Sequence, residues 1–232
     1  MTLPTQTFGA HELKFALSDA IVGQVTEWAK AHIPADPYAG LGDLYDVDSL
    51  YFDSEDMSVF HRQPGFDDRK YRVRRYGSEG LLYLEEKEKL KGWVRKRRTA
   101  IPEDDLNRIE VEDTNWEGAW FSRMLGEWGL VPKSRVTYRR LARVGESEGG
   151  PIRLTIDRNV RCMKANGLHV APIRDGEALA IDRNILELKF GRSGLPLLYK
   201  GLIREFGLLS NGSSKYRLSV LATGAMRERA GA

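Results

Sequence analysis

The segment KYRVRRY, residues 70–76, alternates between two kinds of side chain along its length. Successive side chains of a β-strand point to opposite faces of the sheet, so Arg72 and Arg74 share one face while Tyr71 and Val73 share the other. This alternation predicts a strand that is apolar on one side and cationic on the other. A fold that buries the apolar side must also leave the cationic side in contact with water or with an anion.

Similar alternation recurs along the chain, and each occurrence is bounded by Gly, Pro or a polar cluster. We predict strands at His11–Leu17, Asp46–Ser54, Lys70–Tyr76, Leu81–Lys89, Trp93–Thr99, Arg135–Arg143, Ile152–Arg158 and Asn184–Phe190. About eight strands are enough to close into a small barrel with room for a ligand. The predicted fold is therefore mainly β (α+β), an eight-stranded antiparallel closed β-barrel tunnel with amphipathic helices packed outside.

Three segments have helical rather than strand-like periodicity. Ser18 can cap the first of them, Asp19–His32. The other two are marked by a tryptophan stripe and by a proline in the first turn: Trp116, Trp120, Met124 and Trp128, then about Leu195–Phe206 with Pro196. Such stripes more often pack on a sheet than hold a cofactor, so we interpret these helices as covers for the apolar strand faces.

The opposite faces of the predicted strands carry polar and charged residues: Glu12 and Lys14; Arg72 and Arg74; Glu85 and Lys87; Lys96 and Arg98; Tyr138 and Arg140; Arg153, Thr155 and Asp157; Glu187 and Lys189. On any single strand, such a face could be the solvated exterior of a sandwich. If helices cover the apolar faces, however, the charged faces must turn away from those helices. A sheet that curls shut then encloses them.

An enclosed channel with more cations than carboxylates implies an anionic ligand. Each unpaired charge that leaves water costs on the order of several kcal/mol, so an anion of high charge density is needed to offset the cost. A chain of phosphates is such an anion. The few carboxylates then suit Mg²⁺ or Mn²⁺, which takes hard oxygen donors and bridges phosphate oxygens.

The overall composition limits the possible functions less than the pattern of charges along the strands does. The chain has 232 residues, with 36 Lys and Arg against 33 Asp and Glu and a formal net charge of +3, so local charge placement must identify partners. We predict one domain over residues 1–232, with a core of about 11–220 and a frayed tail at 225–232. No apolar run approaches the ~20 residues of a membrane helix, so we expect no membrane insertion. The single cysteine, Cys162, fits a reducing compartment, and we predict a cytoplasmic location.

Seven short motifs, taken together and in order, resemble the VTC (vacuolar transporter chaperone) polyphosphate polymerase domain, within the triphosphate tunnel metalloenzyme and CYTH-like superfamily. The resemblance covers about Glu12 to Tyr216. The motifs are Glu12-Leu-Lys14, Ser49-Leu-Tyr-Phe-Asp53, Tyr71-Arg-Val-Arg-Arg-Tyr-Gly77, Leu84-Glu-Glu-Lys87, Arg153-Leu-Thr-Ile-Asp157, Ile185-Leu-Glu-Leu-Lys189 and Ser214-Lys-Tyr216.

The resemblance implies a phosphotransferase that binds ATP and polyphosphate in a basic tunnel and uses Mn²⁺ or Mg²⁺. From it and from the charged faces, we expect the residues that act on the transferred phosphate to be Lys14, Arg72, Arg74, Lys87, Arg140 and Arg153. Further phosphate-binding residues are expected at Lys96, Arg98, Tyr138, Lys189, Ser214 and Lys215. Glu187 resembles the metal-ligating glutamate, and Glu12 and Glu85 are additional candidates.

Two other functions stay open. A hydrolase of tripolyphosphate or of nucleoside triphosphates would use the same tunnel with water as the acceptor, and a non-catalytic module would only bind polyphosphate. The expected partners are therefore ATP, polyphosphate or tripolyphosphate. Nucleic acid is not expected, because aromatic residues do not interleave with the cations on the charged faces. Cys162 and the four histidines, His11, His32, His61 and His169, lack the spacing of metal or nucleophile sites, and we interpret them as structural or surface residues.

Overall fold

The computed structural model describes residues 11–39, 41–77, 80–90, 93–111, 113–173, 178–212 and 214–224, and the tail predicted at 225–232 lies outside them. The strands are β1 (His11–Leu17), β2 (Leu44–Asp53), β3 (Lys70–Tyr76), β4 (Leu81–Leu90), β5 (Trp93–Pro102), β6 (Val131–Ser147), β7 (Gly150–Lys164), β8 (Leu179–Ala180) and β9 (Asn184–Phe190). The helices are α1 (Asp19–His32), α2 (Ser58–His61), α3 (Ala119–Glu127), α4 (Leu197–Glu205) and α5 (Lys215–Thr223), with 3₁₀ segments at Leu41–Asp43 and Glu103–Glu110.

The strands form one antiparallel sheet in the order β1-β9-β7-β6-β2-β3-β4-β5, and β8 pairs with β7 beside this path. The predicted antiparallel, mainly β fold with helices is therefore confirmed. Strands β1 and β5 end the order, and no backbone pairing joins them in the residues that the structure describes. A barrel closed by hydrogen bonds is thus not confirmed.

The alternation seen in the sequence sorts each strand into an apolar and a polar face. On β3, Tyr71 and Val73 are fully buried in the larger of two hydrophobic clusters. On β7, Leu154 and Ile156 are fully buried in the smaller cluster. Because the apolar side chains turn outward to the helices and loops, the charged side chains between them turn to the concave side of the sheet.

Helix α1 shows how the cover is built. Val22, Val25 and Ala29 lie at helical spacing and are buried against β1, β7 and β9. Burial of each valine side chain contributes about 1.5–3 kcal/mol, more than helix propensity alone could supply. Ser18 occupies the N-cap position as predicted, although its side chain makes no capping hydrogen bond. The tryptophan stripe packs only in part as predicted. Trp116 and Trp120 lie against the larger cluster and Met124 lies within it, but Trp128 is an exposed residue. Trp116 and Trp128 also fall outside α3, so the helix is shorter than the stripe.

Several features differ from the prediction. Strands β6 and β7 extend well beyond Arg135–Arg143 and Ile152–Arg158, because they form a long hairpin closed at residues 147–150. The short strand β8, the helices α2 and α5 and the two 3₁₀ segments were not predicted. Among the described residues, no helix has both the length and the apolar character needed to cross a bilayer.

Candidate functional site

The two arms of the sheet approach each other through their charged side chains. Strand β1 is one end of the strand order and β4 is next to the other end, yet the ammonium of Lys87 on β4 lies 2.8 Å from a carboxylate oxygen of Glu12 on β1. The sheet is therefore curled around a shared interior. We call this interior the charged channel; it is lined by Glu12, Lys14, Asp36, Lys70, Arg72, Arg74, Glu85, Lys87, Lys96, Arg98, Arg140, Arg153, Asp157, Glu187, Lys189 and Lys215.

Glu85 is the centre of one charge cluster in the channel. Its side chain has no exposed surface, and Nε and Nη2 of Arg72 both lie 2.6 Å from its Oε2 atom. Its Oε1 atom lies 2.5 Å from the ammonium of Lys96 and 3.3 Å from Nε of Arg98. Burial opposes ionisation, but Arg72 and Lys96 outweigh it and hold the pKa of Glu85 well below its ordinary value. One carboxylate thus organises three cations.

A second cluster joins two carboxylates through lysines. The ammonium of Lys14 lies 2.8 Å from Glu12 and 3.3 Å from Glu187, whose other oxygen is 3.1 Å from Lys189. Burial and Glu187 oppose ionisation of Glu12, yet Lys14 and Lys87 lower its pKa to about 2. Burial alone would lower the pKa of Lys14, but Glu187 and Glu12 raise it. Both carboxylates therefore stay ionised and face a common small cation.

The third cluster depends on helix α5. Asp157 on β7 is fully buried and accepts from Nε and Nη2 of Arg140 at 2.6 and 2.8 Å. Lys215, at the first position of α5, also pairs with Asp157 and lies 4.6 Å from the ring centroid of Tyr138. Although burial opposes ionisation, Arg140 and Lys215 lower the pKa of Asp157 to about 2. The start of α5 therefore delivers a cation into the channel.

Arg74 differs from the other arginines of the channel. It is buried, and Nε donates to the hydroxyl of Ser49 at 2.9 Å while Nη1 donates to Tyr76 at 3.3 Å. In the part of the chain that the structure describes, no carboxylate lies within ion-pair distance of its guanidinium. Tyr138 lies 5.9 Å from this guanidinium, measured to the ring centroid. Arg74 is thus held by hydroxyl groups rather than by a carboxylate.

Arg153 is held near an end of the channel by a loop residue. Its Nη2 atom lies 2.8 Å from buried Asp36 and 3.3 Å from the hydroxyl of Tyr45. Its side chain is still 40% exposed, as is that of Lys189. These cations can therefore meet a charged ligand that enters from water.

The family model for the VTC domain matches residues 9–223. The chain belongs to the VTC domain family. A comparison with curated protein sequences finds no significant match. The predicted resemblance is confirmed over nearly the whole chain.

Two solved structures resemble this VTC domain in fold. One is a candidate adenylate cyclase from Bacillus halodurans, with a TM-score of 0.53 and 13% identity, covering 89% of this chain and 96% of its own. The other is a candidate adenylyl cyclase from Hippeastrum, described as revealing a dominant triphosphatase activity, with a TM-score of 0.53, 14% identity and coverage of 92% and 96%. At this level of identity, the similarity establishes a shared fold.

Most of the residues expected at the site of the VTC domain meet in the charged channel. All six residues expected to act on the transferred phosphate line it, and so do Lys96, Arg98, Lys189, Lys215 and the three glutamates. Tyr138 is buried beside Arg74 and Arg140. Ser214 has another position, because its side chain caps α5 by accepting from the backbone N–H of Arg217. Its role in phosphate binding stays a prediction.

Sequence reasoning missed some lining residues of this VTC domain. Lys70 and Tyr76 have the same strand parity as Arg72 and Arg74, so their inward direction could have been found. Asp36 lies in a loop, so strand parity could not indicate that it faces the channel. The premise that aromatic residues do not interleave with the cations is wrong, because the guanidinium of Arg98 lies 3.7 Å from the ring centroid of Tyr83 and 5.0 Å from that of Tyr76. The exclusion of nucleic acid therefore stays an untested prediction.

Proposed function

We propose that this VTC domain is a metal-dependent phosphotransferase that binds ATP and polyphosphate in the charged channel and extends the polyphosphate chain. The observation that carries the proposal is the excess of inward-facing cations over carboxylates, with Arg74 buried and unpaired with any described carboxylate. Such an interior requires a dense, linear anion. Family membership favours a polyphosphate chain as that anion.

The proposed reaction needs positioning and charge neutralisation more than a covalent nucleophile. The guanidinium groups of Arg72, Arg74 and Arg140 can each donate two parallel hydrogen bonds to phosphate oxygens. Lys14, Lys87 and Lys96 act as mobile point charges that follow the phosphates during transfer. Because the side chains of opposite arms interleave, as Lys87 and Glu12 do, we also propose that side chains rather than a backbone ladder close the tunnel in this protein.

The donor set fits a divalent metal that arrives with the phosphates. Glu12 and Glu187 already converge on one small cation, the ammonium of Lys14. No group of three or more His, Cys, Asp or Glu side chains in the described residues could hold a metal by itself. Mg²⁺ and Mn²⁺ commonly use one or two carboxylates and complete their coordination with phosphate oxygens and water. When bound, the metal would neutralise charge on the phosphates.

Glu85, the third predicted ligand, has a different environment. Its carboxylate is enclosed by Arg72, Lys96 and Arg98. We propose that Glu85 serves as the counter-ion that holds these cations in position and that Glu12 and Glu187 hold the metal.

A turnover screen tests the proposed function. We expect incubation with ATP and Mn²⁺ or Mg²⁺ to yield ADP and linear polyphosphate, measured by chromatography of the phosphate products. Phosphate release without chain growth would instead favour the hydrolase, which the triphosphatase description of the Hippeastrum structure also supports. Tight polyphosphate binding without turnover under both metals would contradict both enzyme functions and identify a binding module.

The variant Arg74→Ala separates ligand binding from folding. We expect tripolyphosphate affinity to fall about 10-fold to 100-fold, because a charge-assisted contact worth about 1.5–3 kcal/mol is lost. Stability should change far less than for loss of an ion-paired arginine, because no described carboxylate is left unpaired. Calorimetric titration measures the first effect and urea unfolding the second. As a control, Arg75→Ala removes a cation from the outer face of the same strand, and equal affinity losses for the two variants would contradict the assignment.

A further inference from the structure

A row of lysines crosses three neighbouring strands of the charged channel. In the antiparallel register, Lys70 on β3 lies opposite Lys87 on β4, and Lys87 lies opposite Lys96 on β5. We call these three residues the lysine row. Like charges that face each other directly across a ladder are destabilising, so the row has a cost in the folded chain.

In two members of the lysine row, the side chain turns away from the row and its ammonium pairs with a carboxylate. Lys96 reaches Glu85, at 2.5 Å, in the next pair along the strands, and Lys87 reaches Glu12, at 2.8 Å, across the channel. Lys70 has no such partner within ion-pair distance among the described residues. Burial lowers the pKa of Lys70 to about 7, with Lys14, Lys87 and Arg72 contributing to the decrease. The position of Lys70 is therefore electrostatically unfavourable unless an anion lies beside it.

We propose that Lys70, together with Lys87 opposite it, forms a subsite for a phosphate of a chain longer than triphosphate. This inference rests on the proposed function, and it adds a specific residue for chain length. Lys70 lies four residues from Arg74 on the same strand, which is about 13 Å along the strand. A triphosphate whose first phosphate lies beside Arg74 has only two more P–O–P links, so its last phosphate lies nearer the strand position of Arg72 than that of Lys70. A longer chain reaches Lys70 and neutralises the cations around it.

The neighbouring pairs along the strands show why the subsite is separate. The next set of opposed residues after the lysine row is Arg72, Glu85 and Arg98, where the carboxylate sits between two cations. This set, which contains a carboxylate, separates the lysine row from Arg74. Phosphates bound on either side of Glu85 therefore meet different charge environments, and a loss on one side should leave the other side largely intact.

The test is calorimetric titration of tripolyphosphate and of a size-selected longer linear polyphosphate into the full chain, without metal. We expect Lys70→Gln to weaken binding of the longer chain about tenfold or more and binding of tripolyphosphate by clearly less. Lys70→Arg keeps the charge and should retain the affinity of the wild type for the longer chain. Lys200→Gln removes one cation from an exposed site on α4 and should change neither affinity.

The outcomes separate this inference from the proposed function. Suppose that the wild type binds both ligands. If Lys70→Gln then binds the longer chain as tightly as the wild type does, or loses the same factor of affinity for both ligands, the subsite is overturned while triphosphate binding stands. If the wild type binds neither ligand with or without Mn²⁺, the proposed function itself is overturned. A thermal melt of each variant shows whether it folds, and we expect Lys70→Gln to melt no lower than the wild type, because it removes an unpaired cation.

Discussion

Glu85→Gln is expected to destabilise the free protein by about 3–5 kcal/mol, the cost typical of removing one partner from a buried ion cluster. Glu85 is fully buried and is the shared partner of Arg72, Lys96 and Arg98. Glutamine keeps the shape but leaves these cations facing one another without a counter-charge. Urea unfolding measures the loss. Glu27→Gln is the matched control, because Glu27 pairs with Lys30 on the exposed face of α1 and should cost less than about 1 kcal/mol.

Tripolyphosphate should reverse much of this loss. A ligand that binds only the folded state stabilises it according to its concentration relative to Kd, and a polyanion replaces the charge that Glu85→Gln removes. We therefore expect tripolyphosphate to raise the melting temperature of Glu85→Gln more than that of the wild type. An equal rise in both proteins would show that the cations around Glu85 do not meet the ligand.

The pH dependence of the same comparison gives an independent control. The pKa of Glu85 is depressed in the folded state, so its contribution is fully present above the ordinary value of 4.5 and is lost as pH falls toward the folded-state value. The stability difference between the wild type and Glu85→Gln should consequently be largest near neutral pH and shrink in acid. A difference that grew in acid would contradict the ionised state of Glu85.

The sheet could be predicted from sequence wherever alternation was uninterrupted. Strands β1, β3 and β9 and helix α1 have the predicted bounds, because each has a regular apolar pattern and clear end signals. Helix α5 was missed because it has little apolar periodicity, and its inward face includes Ser219, which bonds to Ser134 on β6. Its position is set by tertiary contacts, including Tyr216 donating to buried Asp53. A local pattern cannot reveal such contacts.

The candidate site, like the sheet, could be predicted from the sequence only in part. Strand parity was enough to place Arg72, Arg74 and Lys87 on one surface, because parity depends only on the backbone. It could not reveal which carboxylate meets which cation, because Lys87 and Glu12 are separated by 75 positions and meet only when the sheet curls. The role of Glu85 as a counter-ion is therefore visible only in the structure.

Glu187→Gln is expected to lower metal-dependent turnover by on the order of 100-fold or more, because a lost metal ligand removes several kcal/mol of charge stabilisation in the transition state. Glu187 is buried, and Lys14 and Lys189 hold its two oxygens in the charged channel. Burial opposes ionisation, but these lysines keep its pKa well below the ordinary value, so the carboxylate is a ready oxygen donor. Steady-state phosphate release with Mn²⁺ or Mg²⁺ measures the effect.

Metal-free binding decides whether Glu187 acts through a metal or merely supports the fold. Replacing Glu187 with glutamine frees Lys14 and Lys189 from a competing anion, so tripolyphosphate without metal should bind Glu187→Gln at least as tightly as the wild type. Glu86→Gln, which changes a carboxylate paired with Arg69 on the outer face of β4, should leave both turnover and affinity unchanged. A parallel loss of metal-free affinity and turnover in Glu187→Gln would assign the residue to positioning the lysines. Glu12 and Glu187 share Lys14, so a change at either carboxylate also alters a phosphate-binding cation. Substitution of a true metal ligand must therefore lower metal-dependent turnover while metal-free tripolyphosphate binding is retained.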